Sequence, residues 1–433
     1  MTAQGTRKDV VLPVTPPRAY ELGGPMAWWV WALSVTFVVY LFSFQTGYAI
    51  VNNRVQGDVG LTIEQVGTIA AVYTWAFAIC QFFGGALLDR LGARAVLPIS
   101  IALVTLGIFI FANATNYPML LLSQIIIAMG SCTGFVGAGY IGGQWFGMAK
   151  FSFMFGLVQV VAALTSAFSQ NLIDVALIQM DWRTLFNATS IFGIILFVLG
   201  LLYIRNPAPV PETASGGVGE FFSSVVEKLK EVAKIRHVWI ASLAGATTFG
   251  AMLALGVVWM PKLLKVHGLS DASAYFGASM LWLGLAAGSA LIPHWSDVLR
   301  TRRIPMIWGA VIQLVIAVIM LNFPLGTAAA FVLCFIFGFA NATHMLAFST
   351  AADVVEPSQI GTSAAIVNGI MFIFGGMLIS RPGARIGMGL EQGIQAGTLE
   401  AAQFAGRPIV LALVAGLALA FIMKETYPKA QTT

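Results

Sequence analysis

Charge is scarce in this chain. Only 9% of its 433 residues are Asp, Glu, Lys or Arg, where soluble domains carry about 25%. With 58% hydrophobic residues and a mean hydropathy of +0.85, the shortage excludes a water-facing surface of ordinary extent. Most side chains must face lipid or other helices, as in a polytopic membrane protein. The alternating segments of about ten residues that mark a membrane barrel are missing. Cysteine is sparse too. Cys80, Cys132 and Cys334 sit far apart inside apolar runs, so no disulfide framework or cysteine metal site is implied. The first 25 residues lack the apolar core of a cleaved signal peptide and read as a cytosolic tail. No G-x-x-x-x-G-K-[ST] stretch is present, which argues against direct ATP drive. No nucleophile–base or metal-ligand spacing stands out either. An enzyme, a cofactor, a metal and a nucleic-acid partner are all unexpected.

What the chain does have is twelve apolar runs, near 26–50, 62–87, 95–113, 118–146, 152–174, 182–204, 238–260, 272–293, 304–323, 327–350, 361–380 and 403–423. Each can cross about 30 Å of hydrocarbon as a helix. The longest polar stretch, 205–237, divides them six and six. It opens as a Pro/Gly-rich linker, "RNPAPVPETASGG", and continues as "EFFSSVVEKLKEVAKIRH", which predicts a basic amphipathic helix on the membrane interface. The domain plan is therefore a tail (1–25), a six-helix bundle (26–204), the linker (205–237), a second bundle (238–423) and a tail (424–433). With the N-terminus inside, 16 of the 23 Lys and Arg fall on the cytosolic side. Both termini are then expected in the cytosol and the protein in the inner membrane.

The halves repeat. A shift of 208 residues puts Gly60-Leu61-Thr62 on Gly268-Leu269-Ser270, Arg54 on Lys262, Asp89 on Asp297 and Arg94 on Arg302. Such duplication is expected of transporters built from two related bundles around a central site.

The first copy of the repeated loop is "GGALLDRLGARA", 84–95. Its Gly85-x-x-x-Asp89-Arg90-x-Gly92-x-Arg94 pattern resembles the most typical motif of the major facilitator superfamily of secondary transporters. "DWRTLF", 181–186, also looks like a family feature, and the second loop, "IPHWSDVLRTRR", is a degenerate copy. Ala93 stands where a base is common. The resemblance covers essentially the whole chain. It implies an all-α fold of twelve transmembrane helices in two pseudo-symmetric six-helix bundles, working by alternating access. It also implies that Asp89, Arg90 and Arg94, with Asp297, Arg300 and Arg302, gate the cytosolic side. Partly exposed ion pairs, worth about 1 kcal/mol or less each, suit a latch that every cycle must break. By topology, Asp89 ends span 2, and Arg90 and Arg94 belong to the short loop after it. Two features of proton-coupled drug exporters are missing: an Arg in span 4, where Gln124 stands, and a Gly-Pro pair in span 5.

The resemblance further implies that spans 1, 4, 7 and 10 line a cavity, with 2, 5, 8 and 11 beside them and 3, 6, 9 and 12 outside. Polar residues follow this scheme. Gln45, Tyr48 and Asn52 share one face of span 1; Thr133, Tyr140 and Gln144 one face of span 4; Gln159, Ser166 and Gln170 one face of span 5. Each can equally bond between helices in lipid. His344, with Asn341 a turn earlier, is the histidine well inside a span and the candidate for protonation. Asn368, Tyr73 and Trp75 are further candidates. No carboxylate lies deep in a span, whereas Arg54, Lys262, Lys265 and Arg381 are expected near the outer mouth, where a basic field attracts anions. Arg54 reaches the cavity only if span 1 extends beyond 50. The stretch 45–62 is similar to carriers of small carboxylates, and the "LLDRLG" loop to a group that includes siderophore carriers. The reading is a monomeric secondary transporter of a small organic solute, an organic anion first, with protons or a counter-substrate as co-ligand and lipid as the other partner. A larger iron chelate, a hydrophobic compound, and a non-transporting sensor remain as alternatives.

Overall fold

The computed structural model describes residues 20–208 and 218–427, and among these every regular element is a helix. Most of the N-terminal tail and the Pro/Gly-rich part of the linker lie outside the described residues. Among the described residues, twelve helices are long and apolar enough to cross a membrane. Because spans alternate in direction, the start of span 1, the linker and the end of span 12 share one side, here the terminus side.

The repeated tripeptides have a physical meaning. Span 1 (Pro25–Val59) ends on Gly60 at φ 71°, and Leu61 N–H donates back to the Gln56 carbonyl. Thr62 then caps span 2 (Ile63–Leu91), accepting from Gln65 N–H. The other half does the same: Gly268 sits at φ 84°, and Ser270 caps span 8 (Asp271–Leu299). A left-handed glycine followed by an oxygen-bearing cap stops one helix and starts the next within three residues.

Several elements exceed their expected length. Span 1 runs 35 residues, about 50 Å at 1.5 Å per residue, so its far end stands beyond the hydrocarbon. Span 2 continues to Leu91 and span 3 (Ala93–Ala112) starts two residues later. Arg90 and Arg94 are thus helical, and the expected loop shrinks to Gly92 at φ 73°. Span 4 is broken into Tyr117–Ser131 and Gly134–Phe146. Its second part is glycine-rich because neighbours pack onto its backbone: a Cβ on Gly137 would meet Leu97, one on Gly142 would meet Met154. Span 7 passes from Arg236–Ala254 through a π-helical segment, Leu255–Trp259, into Met260–Val266. Span 10 is interrupted by a 3-10 turn, Ala342–Met345. The linker helix, Val218–Ala233, is amphipathic and lies on the terminus side, where Gln359 at the foot of span 11 (Ile360–Glu391) donates to Glu231 at 3.1 Å.

The halves meet closely on the terminus side. A Cβ on Gly85 would overlap the Gly361 carbonyl oxygen, and one on Gly156 would lie 2.5 Å from the Ser289 carbonyl oxygen. Ser152 and Ser349 hydroxyls are 2.5 Å apart across the halves, and Phe155 and Phe348 rings pack at 4.5 Å.

Candidate functional site

Above those rings lies a cavity of about 160 Å³. Span 1 contributes Gln45, span 5 Gln159 and Ser166, span 8 Trp282, span 10 His344 and span 11 Asn368, among aromatic walls that include Phe135 and Phe249. A narrower extension shares Gln45 and Asn368 and adds Tyr73 and Phe77 of span 2. Among the described residues, no lining residue comes from spans 3, 6, 9 or 12, and none is Asp, Glu, Lys or Arg.

His344 is fixed from behind. Its Nδ1 lies 2.7 Å from the Asn341 carbonyl oxygen, which can only accept, so Nδ1 carries a proton and Nε2 is the nitrogen left to titrate. The imidazole stacks on Phe249, centroids 4.6 Å apart. Asn341 is itself tethered, its Nδ2 donating to the Thr248 carbonyl at 2.9 Å, with Gln313 of span 9 reaching the same oxygen at 3.5 Å. Asn341 therefore supports the ring and does not line the cavity. Asn368 is 3% exposed, and its Nδ2 has no hydrogen-bond partner among the described residues. An unmatched buried donor costs about 1–3 kcal/mol until an acceptor arrives.

Other sequence candidates are not brought to this cavity. Tyr48 is buried and donates to the Val66 carbonyl at 3.0 Å, a bond from span 1 to span 2 that turns it away from the Gln45 position. Asn52 and Arg54 lie on the extension of span 1. Arg54 reaches span 5 there, donating to the Leu177 carbonyl at 3.2 Å. The break in span 4 shifts its register: Thr133 bonds to Ser100 at 2.6 Å, and Tyr140 and Gln144 are half-buried toward the terminus side. Trp75 is 62% exposed on the outer surface of span 2. Lys262 stacks over Trp259 at 4.5 Å, beside a separate apolar pocket. The side chain of Gln170 is outside the described residues.

The loop residues form two different clusters. Asp89 faces the N-terminus of span 11, accepting from Gly361 N–H at 2.8 Å, Thr362 N–H at 2.7 Å and the Thr362 hydroxyl at 2.8 Å. This is a carboxylate capping a helix of the other half, where free N–H groups and the helix dipole favour negative charge. Arg90 is half-buried and engaged with its surroundings, while the Arg94 side chain is exposed and its N–H donates to Asn206 at 3.1 Å. In the second loop, Arg302 is 6% exposed and pairs with Asp297 at 2.5 Å and Asp353 at 3.5 Å, all within one half. Glu425 accepts from Arg302 N–H at 2.8 Å, matching the Asn206 cap of the first half. Arg300 ends span 8 at φ 53°, exposed. Sequence reading missed Asp353, Glu425 and Asn206. Their sign was position: each sits just past a span, level with a repeated loop.

The profile of the Major Facilitator Superfamily matches residues 32–380. The chain belongs to this superfamily and is a transporter. Among its relatives, the probable galactarate/D-glucarate transporter of Bacillus subtilis is 23% identical, covering 77% of this chain and 81% of that protein. The hexuronate transporter of the same organism is 24% identical over 54% of this chain and 57% of its own length. A solved bacterial homolog of the human lysosomal transporter Spinster, inward-facing and unoccupied, shares the fold at a TM-score of 0.58 and 17% identity, covering 92% of this chain and 97% of that one. Within this superfamily member, "DWRTLF" is a structural clamp. Asp181 caps span 6 (Trp182–Tyr203) through Thr184 N–H at 3.0 Å, Trp182 donates to Asp58 at 2.6 Å, and Arg183 bonds the carbonyls of Ala112 and Ala114 that end span 3.

Proposed function

We propose that this transporter carries a small organic acid through the cavity around His344, with both termini in the cytosol of a cell whose inner membrane it spans. The observation that carries the reading is the pairing of two donors in an apolar chamber without fixed charge: His344 Nε2, when protonated, and the unmatched Nδ2 of Asn368. Both suit carboxylate oxygens. Gln45 and Gln159 supply amide groups for hydroxyls of the same solute. A bare imidazolium in these aromatic walls is costly, so proton and anion load together. The relatives named for galactarate, glucarate and hexuronate support this cargo class. A cavity of about 160 Å³ favours such a solute over a large iron chelate. The protein works as a monomer, by proton-coupled transport or exchange. The Asp89 cap closes the cytosolic side and must release in each cycle.

Counterflow in proteoliposomes tests this. Galactarate, glucarate, a hexuronate and galactonate are offered in turn, and at least one is expected to exchange. His344→Gln should lose most of that exchange, and Asn368→Leu should weaken binding at least tenfold. Failure of every acid, or full exchange by His344→Gln, overturns the reading.

A further inference from the structure

Span 7 separates two chambers. On one side Leu253, Gly256 and Val257 line the central cavity. On the other, Leu255, Trp259 and Met260 line a second pocket, of about 250 Å³, bounded by spans 7, 9, 10, 11 and 12 and open on one side, away from the termini. The dividing wall is the π-helical segment Leu255–Trp259. A π-segment inside an α-helix commonly marks a functional site.

The second pocket has a consistent chemistry. Its walls are aliphatic and aromatic, including Ala402, Ala405 and Ile409 of span 12 (Leu399–Ile422). Its polar side chains are Thr398 and Lys262. The Thr398 hydroxyl is already used, donating to the Gln395 carbonyl at 2.8 Å and accepting from Ala401 N–H at 3.2 Å. Lys262 is exposed and lies over the Trp259 ring at 4.5 Å, and among the described residues no carboxylate lines the pocket. One cation beside an apolar chamber calls for an apolar body with one negative end.

We propose that this pocket is a regulatory site for a single-chain carboxylate, an unbranched alkyl acid of medium length, with its head on Lys262 and its tail among spans 9 to 12. The volume suits one alkyl chain. Bound there, the tail backs the π-segment and holds the wall of the central cavity still, so exchange slows without competition for the transported solute. The site does not depend on which solute the central cavity carries.

The probe is decanoate brominated at mid-chain, within reach of the Trp259 ring that lies under Lys262, added to the purified protein in detergent, with tryptophan fluorescence as readout. Saturable quenching is expected, lost in Trp259→Phe. Lys262→Gln, a change at an exposed position, should weaken it about threefold to fivefold, the size of an exposed ion pair. Brominated decanol should bind less tightly than the acid by the same factor. Ala402→Phe, which fills the pocket, should abolish saturation while thermal unfolding reports that the protein stays folded. Quenching that rises linearly with probe, or that is equal for acid and alcohol, or that survives Trp259→Phe, overturns the proposal. In proteoliposomes that exchange any solute, decanoate should lower the maximal rate and leave the half-saturating solute concentration unchanged. A competitive pattern overturns the regulatory role.

Discussion

Asp89 reaches across to the helix N-terminus of the opposite half, whereas Asp297, at the same register 208 residues later, turns back to Arg302 of its own half. The cause is legible in what stands at the end of the fourth helix of each bundle. Span 10 is followed by Asp353, which joins Asp297 around Arg302. The matching position in the first half is Trp145, buried and donating to the Arg205 carbonyl at 3.1 Å, so no acid gathers Arg94 inward. Arg94 stays exposed, and the Asp89 carboxylate is left to the backbone of span 11. One loop is thereby a contact between the halves. The other is a corner within the second bundle, closed over by Glu425 and by Thr426, which donates to Asp353 at 3.2 Å.

This contrast can be broken hardest at Gly85. A methyl group there would collide with the Gly361 carbonyl oxygen and with Ala365, both rigid parts of span 11. Gly85→Ala should disfavour the state closed on the terminus side and cut counterflow by about 10–100-fold, in line with an overpacking cost of about 1–3 kcal/mol. Reactivity of a cysteine placed on the terminus side should rise in parallel. Unchanged reactivity would mean that spans 2 and 11 need not touch in the cycle. Asp89→Asn comes next. Its amide keeps one acceptor and turns an N–H₂ toward the N–H groups of span 11, losing at least one charge-assisted bond of about 1.5–3 kcal/mol. Turnover should fall about tenfold, while solute affinity, set at a separate site, stays within about twofold. Loss of affinity instead would sink the latch reading.

How far such predictions could be drawn from sequence differs between fold and site. The twelve spans, the two halves and the superfamily were readable because lipid demands long apolar runs and because the loop repeats. Gln45, Gln159, His344 and Asn368, which line the cavity, were visible as polar groups in apolar helices. Tyr48 was not separable from Gln45 by periodicity, because a phenol can satisfy a neighbouring helix's carbonyl as readily as it faces a cavity. The face drawn through Thr133, Tyr140 and Gln144 assumed one continuous helix, and span 4 is interrupted at Cys132 and Thr133. Asp89 was singled out by its motif, yet its partners lie 272 and 273 residues away, two backbone N–H groups and one hydroxyl at a helix start, which no charge pattern announces.

The second cluster offers smaller effects. Asp297→Asn removes one of the two negative charges beside a buried guanidinium and leaves Asp353, so the expected loss is stability of about 1–2 kcal/mol, below the cost of stripping a buried ion of all its partners. Thermal unfolding should register it, while counterflow changes by no more than about twofold. An effect on turnover as large as that of Asp89→Asn would show that both loops are latches.

The finest test is the pH response of Asp353. Burial lifts its carboxyl from the ordinary 3.8 to about 6, against the opposing pull of Arg302. Between those two values the folded protein holds a proton that the unfolded chain has released. Stability from this group is therefore full below about 3.8, declines as pH rises, and is gone above about 6. Relative to Asp353→Asn, which cannot titrate, the wild-type melting temperature should fall as pH is raised from 4 to 6.5 and run parallel thereafter. A difference that grows in the opposite direction would mean that Arg302 holds the carboxylate charged throughout. The corner would then be an ion pair as strong as its geometry allows, and the two loops would be more alike than their partners suggest.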